Sequence, residues 1–377
     1  MKELYCRRIN DTVRGFVVKD DEPFASFTYS ADSLNKYDIV SVSASSPAPE
    51  TGGFFADIGK GKTAFCDDNM PGRGRVFPAG ILSLPEGTKS YRISPVITFT
   101  GLFVHAQFVP SFSRQRPGKT LSVSRRISEK RRAYLESVFG EICKEFSFEG
   151  YASCFTLRTL CEEDVKNDII LSEIRGFANE FRRIIETSEG SVTVRKAPAG
   201  TLLYKRSLPE YVLSALKTTD YEKIISDEAG MTLAFQKVFG NLPHEPEIGT
   251  YGDMERLFII KDSLAEFSVY SGKTFYTKSG ARVVYDKTEA MHVFDINSGG
   301  SWKSPLEINL ECCDIISRVC SVKNLTGIIM IDFINMRSHE DEKAVADKMT
   351  ALAGEDYRPF KIYGFTALKV LECARYK

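Results

Sequence analysis

Two aspartates end strand-like segments in the last third of the chain. Asp295 ends one such segment, and Asp332 ends the continuous apolar run 327–331. A helix-like segment, 306–322, separates them, so the order predicts an α/β crossover. Ligand sites in such sheets tend to lie at the carboxyl ends of strands, and paired carboxylates suit Mg²⁺, which prefers oxygen ligands. Asn297 follows Asp295 by two residues, on the same side of an extended chain, where its amide can orient that carboxylate.

The neighbouring segments predict the elements that position these aspartates. Strands are expected over 282–285 and 290–296, with a turn at 286–288 between them. The run 327–331 is typical of a strand that is covered on both faces. The helix over 306–322 has its apolar positions on one face. These positions are Ile308, Cys312, Ile315, Ile316 and Val319. Taken alone, two strand-end aspartates more often cap turns than bind a metal.

The composition leaves the function open. The chain has 377 residues, of which 43% are hydrophobic and 27% charged, a balance typical of a globular protein with two or three domains. Its 50 basic side chains match 50 acidic ones, so the total charge gives no support to nucleic-acid binding. The segment 114–132 holds eight Lys and Arg residues against one acid, Glu129. This cluster is a solvated face or, as the one-sided charge slightly favours, a contact for RNA phosphates.

Targeting segments and metal motifs are not evident in the sequence. The chain starts with charged residues rather than the apolar core of a signal peptide, and no stretch approaches the roughly 20 apolar residues that span a bilayer. Its nine cysteines form no CxxC pair, which argues against a zinc knuckle and suggests reduced thiols. We therefore expect a cytoplasmic protein without a membrane span. The GKT triplets at 61–63 and 118–120 lack the earlier glycine that a P-loop requires.

Four sequence blocks in the last third of the chain form an ordered pattern. They are YDKTEA (285–290) with FDINSG (294–299), NLE (309–311), GIIMIDFINM (327–336), and GFTAL with the residues that follow it (364–375). This pattern resembles the signature of the ribonuclease E/G family. The resemblance implies a metal-dependent endoribonuclease that cleaves single-stranded RNA and leaves 5′-phosphate and 3′-hydroxyl ends. Such an enzyme would act in the processing or decay of rRNA, tRNA or mRNA.

The resemblance also assigns roles to the residues of the predicted site. Asp295 and Asp332 match the family's metal-binding aspartates, and Asn297 matches the asparagine that supports them. These three residues are therefore the candidate catalytic residues, and the two aspartates are the candidate metal ligands. The implied cofactor is Mg²⁺, for which Mn²⁺ is an alternative.

Two aromatic residues earlier in the chain match an RNA-binding motif. Phe55, within FADIG, and Phe65 resemble two aromatic residues in the family's OB-fold RNA-binding domain, where bases can stack on them. A pair of aromatic residues in the core of the barrel is the equally weighted alternative. The segment SRRI resembles another family motif, and it adds Arg125 and Arg126 as candidate RNA-binding residues.

A third motif concerns the 5′ end of the RNA. Leu157-Arg158-Thr159 resembles the family's V-R-T, in which Arg and Thr hold the 5′-monophosphate. A guanidinium beside a hydroxyl suits a terminal phosphate. Arg158 and Thr159 are therefore the candidate 5′-sensing residues. Ala367 stands where some members have a further sensor arginine, which weakens this part of the resemblance.

The resemblance predicts a multidomain α+β fold. An RNase H-like domain, 1–36 and 190–263, is interrupted by an OB-fold RNA-binding domain, 37–112, and a 5′-sensor-like domain, 113–189. A DNase I-like α/β catalytic domain follows over 264–377. This organisation requires the N-terminal segment to pair with residues near 190–263.

The chain also departs from the family pattern. The zinc-binding C-P-x-C and the small domain beyond it are absent, so no zinc link is expected and a dimer without it stays open. The loop after Asn297 is shorter than in the family. These departures leave a second interpretation, a catalytically weak RNA-binding relative associated with ribosomes or mRNA. A metal phosphoesterase acting on a non-RNA substrate is a third, which explains the aspartates but not the OB-like segment.

Overall fold

The closely spaced apolar segments and turns form a mixed α+β fold of several sheets. The computed structural model describes residues 2–85, 89–189, 196–216, 219–250, 267 and 269–376. The chain divides into two units. Unit 1 comprises Met1–Tyr29, Leu216–Leu233 and Pro246–Lys377, and unit 2 comprises Ser30–Ala215 and Ala234–Glu245.

A five-stranded sheet joins the start of the chain to a later segment of unit 1. Its strands are β1 (Lys2–Ile9), β2 (Thr12–Lys19), β3 (Glu22–Ser30), β14 (Lys223–Ser226) and β15 (Glu247–Thr250). Their order is β15-β14-β1-β2-β3, with β1 parallel to β14 and antiparallel to β2. The N-terminal strand thus pairs inside the range 190–263, where the sequence requires a partner. Residues 190–195, 217–218 and 251–263 of that range lie outside the described residues.

Five strands of unit 2 close into an OB-like barrel. They are β4 (Ile39–Ala48), β5 (Gly53–Asp57), β6 (Thr63–Cys66), β7 (Val76–Ser83) and β8 (Tyr91–Ser94). The order β4-β5-β6-β8-β7 closes because β7 also pairs with β4. A short strand, β13 (Leu202–Tyr204), adds to β4 through the pairing of Leu202 with Val40. This segment, which the predicted domain organisation assigns to the split domain, is therefore hydrogen-bonded to the barrel.

The rest of unit 2 is a four-stranded sheet with helices. The strands β9 (Ile97–Thr100), β10 (Val104–Pro110), β11 (Leu121–Val123) and β12 (Tyr151–Leu157) have the order β11-β12-β10-β9. The helices are α1 (Glu129–Lys144), a 3₁₀ turn (Thr159–Glu162), α2 (Asn167–Glu189), α3 (Leu208–Leu216) and α4 (Ala229–Phe239), the last of which runs across the boundary of the units. An apolar face of α2 packs on β10, where the Phe181 ring stacks on Phe108 with centroids 3.9 Å apart.

The last sheet, in unit 1, contains both aspartates. Its strands are β16 (Thr274–Tyr276), β17 (Arg282–Lys287), β18 (Met291–Asn297), β19 (Gly327–Asp332), β20 (Phe360–Phe365) and β21 (Val370–Arg375). Helix α5 (Pro305–Val322) connects β18 to β19, and α6 (His339–Gly354) follows. The order is β16-β17-β18-β19-β21-β20, with β18 parallel to β19. The predicted strand, helix and strand of the α/β crossover are confirmed.

Helices cover one face of this sheet. Phe294 and Ile331 alternate inward and pack with the apolar side chains of α5 and α6 in one core cluster. The other face is more open, because the side chain of Ile328 is 50% exposed and that of Met330 is only partly buried. The expectation that the run 327–331 is covered on both faces is therefore wrong. Ile328 and Met330 lie on the open face, and Asp332 follows them on the same face of β19.

Candidate active site

Asp295 and Asp332 lie side by side on the open face of the last sheet. They are Cα partners in the parallel pairing of β18 with β19, and neighbouring strands run about 4.8 Å apart. Partnered residues point to the same face, because side chains alternate along each strand. Both residues are exposed to solvent. Two carboxylates at this spacing can contribute oxygens to one cation while water fills its remaining positions.

Asn297 joins this pair. It lies on the same face as Asp295, two residues further along β18, and its Nδ2 donates to Asp295 Oδ2 at 2.7 Å. The hydrogen bond fixes the orientation of the carboxylate, as neighbours of metal-binding groups commonly do. The structure thus brings together Asp295, Asn297 and Asp332.

A buried asparagine in α5 holds the segment after Asp332. Asn309 is fully buried, and its Nδ2 donates to the Ile334 carbonyl oxygen at 2.8 Å. Its Oδ1 accepts from the Ile334 amide at 3.1 Å, so both backbone groups of that residue are bound. This clamp fixes the chain two residues beyond Asp332. The NLE motif marks Asn309 in the sequence, but the spacing does not indicate which segment it holds.

The loop between β18 and α5 is anchored at its end. The Glu311 carboxylate accepts from Lys303 Nζ and from Ser279 Oγ, the latter at 2.5 Å. The hydrogen bond from Lys303 is the main cause that lowers the pKa of Glu311, so this carboxylate stays ionised. Helix α5 begins with a capping box between Ser304 and Glu307, a device that stabilises a helix start by about 1 kcal/mol.

Phe55 and Phe65 lie on the outside of the barrel. They are Cα partners on β5 and β6, and their ring centroids are 5.7 Å apart in an edge-to-face arrangement. The barrel core is formed instead by alternate residues such as Phe54 and Ala64. Phe55 is 37% exposed and Phe65 is partly buried. The alternative that both rings belong to the barrel core is therefore wrong, and an outward-facing aromatic pair is available.

The SRRI segment and the segment Leu157-Arg158-Thr159 of unit 2 contact each other through two hydroxyl groups. Ser124 Oγ lies 3.1 Å from Thr159 Oγ1, and Thr159 is exposed. Arg158 is partly buried, and its Nη1 donates to the carbonyl oxygens of Gly101 and Leu102. Burial lowers the pKa of this guanidinium. Thr159 is thus open to a phosphate, whereas one guanidinium nitrogen of Arg158 is bound by the backbone.

A partly buried carboxylate lies near Arg158. Glu173 accepts hydrogen bonds from the backbone amides of Leu102, Phe103 and Val104 at 2.9 to 3.0 Å. Burial raises the pKa of Glu173, and the three amide hydrogen bonds oppose that shift only in part. This carboxylate holds the connection between β9 and β10 in place.

Within the described part of the chain, some side chains of the basic run 114–132 bind backbone carbonyl groups, and the others do not. Three of its arginines donate to backbone carbonyl groups, and they are Arg114, Arg131 and Arg132. The other five members have exposed side chains, and they are Arg116, Lys119, Arg125, Arg126 and Lys130. The exposed members include both predicted RNA-binding arginines.

Two properties of the described residues concern metal ions and membranes. Within that part of the chain, no group of three or more His, Cys, Asp or Glu side chains is arranged to hold a metal ion. A Mg²⁺ site does not require one, because Mg²⁺ is often bound through one or two carboxylates and several waters. Among the same residues, no helix is both long and apolar enough to cross a bilayer.

Comparison with known proteins identifies the family. A profile of the Ribonuclease E/G family matches residues 113–377. The chain belongs to the Ribonuclease E/G family. The suspected family resemblance is thereby confirmed, and the matched segment includes Asp295, Asn297 and Asp332 as well as the exposed arginines Arg125 and Arg126.

Relatives in the Ribonuclease E/G family are distant but extend over most of the chain. Ribonuclease G of Haemophilus influenzae is 26% identical over 315 residues, which cover 78% of this chain and 58% of the relative. Ribonuclease G of Escherichia coli K12 is 25% identical and covers 80% and 60%. Ribonuclease E of a Synechocystis species is 25% identical and covers 78% and 43%. The chain therefore spans about three fifths of the ribonuclease G relatives and less of ribonuclease E.

Proposed function

We propose that this protein is a metal-dependent endoribonuclease that cleaves single-stranded RNA and leaves 5′-phosphate and 3′-hydroxyl ends. The observation that carries the proposal is the pairing of Asp295 with Asp332 on neighbouring parallel strands, with Asn297 bound to Asp295. Membership of the Ribonuclease E/G family supports the same activity. The RNA would be ribosomal, transfer or messenger RNA in the cytoplasm.

The two carboxylates fit a hard divalent cation. Both are exposed, both present only oxygen, and their strands place them as direct neighbours. Asp295 and Asp332 would hold Mg²⁺ or Mn²⁺, which when bound supplies an activated water and stabilises charge on the scissile phosphate. Asn297 keeps Asp295 in one orientation, so the carboxylate does not have to reorganise during the reaction.

The other predicted site residues would bind the RNA strand. Phe55 and Phe65 offer an outward aromatic pair on which bases can stack. Arg125 and Arg126 are exposed and can neutralise backbone phosphates. Thr159, with Arg158 beside it, would bind a 5′-monophosphate.

We also interpret the sheets in terms of the family's domains. The sheet built on β1 and β14 would be the RNase H-like domain, split over 1–36 and 190–263. The barrel, within 37–112, would be the RNA-binding domain. The range 113–189 would be the 5′-sensor-like domain, although its strands β11 and β12 share a sheet with β9 and β10 of the preceding range. The last sheet, within 264–377, would be the DNase I-like catalytic domain.

Cleavage of a 5′-monophosphorylated, AU-rich RNA with Mg²⁺ tests this proposal. Wild type should cut the RNA and leave 5′-phosphate ends, and Asp295→Asn should lose most of that rate, because a lost metal carboxylate costs several kcal/mol. Asp314→Asn, an exposed carboxylate on α5, is the matched control and should cut like wild type. Equal rates for wild type and Asp295→Asn would refute the proposal. Tight RNA binding without metal-dependent cleavage would favour the RNA-binding relative.

A further inference from the structure

A tryptophan is exposed on the loop that leaves the candidate active site. Trp302, the single tryptophan of the chain, is 84% exposed. Leaving a side chain of this size in water forgoes a large gain in burial free energy. Isolated apolar side chains on a surface are common, but this one stands five residues after Asn297.

The loop keeps Trp302 near the two carboxylates. The Ser301 amide donates to the Ser298 carbonyl oxygen at 3.0 Å, which makes residues 298–301 a tight turn. Consecutive Cα atoms are about 3.8 Å apart and a β-turn spans less than about 7 Å, so the Cα atoms of Trp302 and Asn297 are within about 15 Å. The next residue, Lys303, is held by Glu311. The indole therefore projects from a fixed loop at the strand edge that carries the site.

An arginine stands on the open face of the sheet beside the same residues. Arg282 is the Cα partner of Asn297 in the antiparallel pairing of β17 with β18, and Asp295 is its diagonal neighbour. Diagonal neighbours are about 7–8 Å apart, within reach of a long side chain. Arg282 is exposed and forms no ion pair within the described part of the chain. The Arg282 guanidinium lies near the two carboxylates and is not paired with them. It is therefore placed to bind an anion that also contacts a cation held by those carboxylates.

We propose that Arg282 and Trp302 bind the RNA at the cleavage site, with Arg282 on a backbone phosphate and Trp302 stacked on a base. This inference rests on the proposed function, because it gives the substrate of that site two further contacts. Stacking of a base on an aromatic ring tolerates any sequence, and the guanidinium matches the phosphate geometry. The contacts position the scissile phosphodiester over Asp295 and Asp332.

The single tryptophan makes the stacking directly measurable. A short single-stranded RNA is titrated into the full chain in the Asp332→Asn background, where cleavage is suppressed, while indole fluorescence and the anisotropy of labelled RNA are recorded. Stacking should quench the fluorescence with the same midpoint as the anisotropy. Trp302→Ala should weaken binding by about 5- to 100-fold, and Trp302→Phe should restore most of the affinity.

Salt dependence tests Arg282. Loss of one phosphate contact to a single strand should reduce the slope of log affinity against log salt by about 0.7, so Arg282→Gln should show that reduction. Lys343→Gln, which removes an exposed cation on α6, is the control and should leave the slope unchanged.

The outcomes separate this inference from the proposed function. Quenching and a reduced slope without any cleavage by the wild type would overturn the nuclease proposal and support the RNA contacts. Cleavage by the wild type, with unchanged indole fluorescence and an unchanged slope, would overturn the contacts alone. If only the fluorescence or only the salt slope is unchanged, the residue that this readout tests does not contact the RNA. Absence of RNA binding overturns both proposals.

Discussion

A buried ion pair holds the strand that pairs with the strand of Asp332, and its removal should loosen the last sheet. The Arg375 guanidinium on β21 donates from Nε and Nη2 to the two carboxylate oxygens of Asp356, each at 2.8 Å. The Arg375 side chain is 0% exposed and that of Asp356 is 1% exposed. Because β21 pairs with β19, this contact supports the strand that ends at Asp332.

Asp356→Asn keeps the shape of the side chain and removes its charge. The guanidinium then stays buried without its counter-charge, a change that costs roughly 3–5 kcal/mol. The ion pair between Lys348 and Asp314 is the comparison, because its side chains are 32% and 50% exposed. Asp314→Asn should cost at most about 1 kcal/mol, since exposed pairs contribute little.

Amide hydrogen exchange of β19 and β21 measures the loss of stability in the strands where it occurs. Asp356→Asn should speed exchange of their protected amides by roughly a hundredfold to several thousandfold, with little change for Asp314→Asn. Equal effects of the two variants would refute the reasoning, because the cost would then not depend on burial of the charge.

Three further predictions concern the site and its supports. Asn297→Ala should lower the cleavage rate by about 10- to 100-fold, because the Asp295 carboxylate loses the group that orients it, and steady-state kinetics of RNA cleavage would detect this. Phe55→Ala and Phe65→Ala should each weaken single-stranded RNA binding by about 1–3 kcal/mol in anisotropy titrations, while circular dichroism shows an intact barrel. Glu173 has a raised pKa in the folded state, so its contribution to stability is complete below the ordinary glutamate pKa and is lost as pH rises through the raised value. The free energy of unfolding of the wild type relative to Glu173→Gln should therefore fall over that window in urea titrations at a series of pH values, and no change with pH would contradict it.

The sequence predicts much of the last sheet because its signals are local. The apolar run before Asp332 and the one-sided apolar positions of α5 define a strand and a helix without reference to distant residues. A crossover between two parallel strands then places Asp295 beside Asp332. Phe54 and Phe55 must point to opposite faces of β5, because side chains alternate along a strand. Only the closure of the barrel shows which of the two faces is outside.

Contacts between distant segments are not readable in this way. Asn309 binds the backbone of Ile334, and no periodicity in the chain indicates that partner. The engagement of Arg158 by the carbonyl groups near Gly101 depends on how β9 and β10 connect. The pairing of Leu202 with the barrel depends likewise on the packed fold, because a three-residue strand has almost no pattern of its own.

Cleavage kinetics of Asp295→Asn, Asp332→Asn and the double variant test the central claim most directly. If the two carboxylates hold one cation, each single substitution should lower kcat/KM by roughly a hundredfold or more. The double variant should then lose little beyond the worse single variant, because residues that act as a unit are not additive. A double variant whose loss in kcat/KM equals the product of the two single losses would contradict a shared metal site. A single variant with the wild-type rate would contradict it as well.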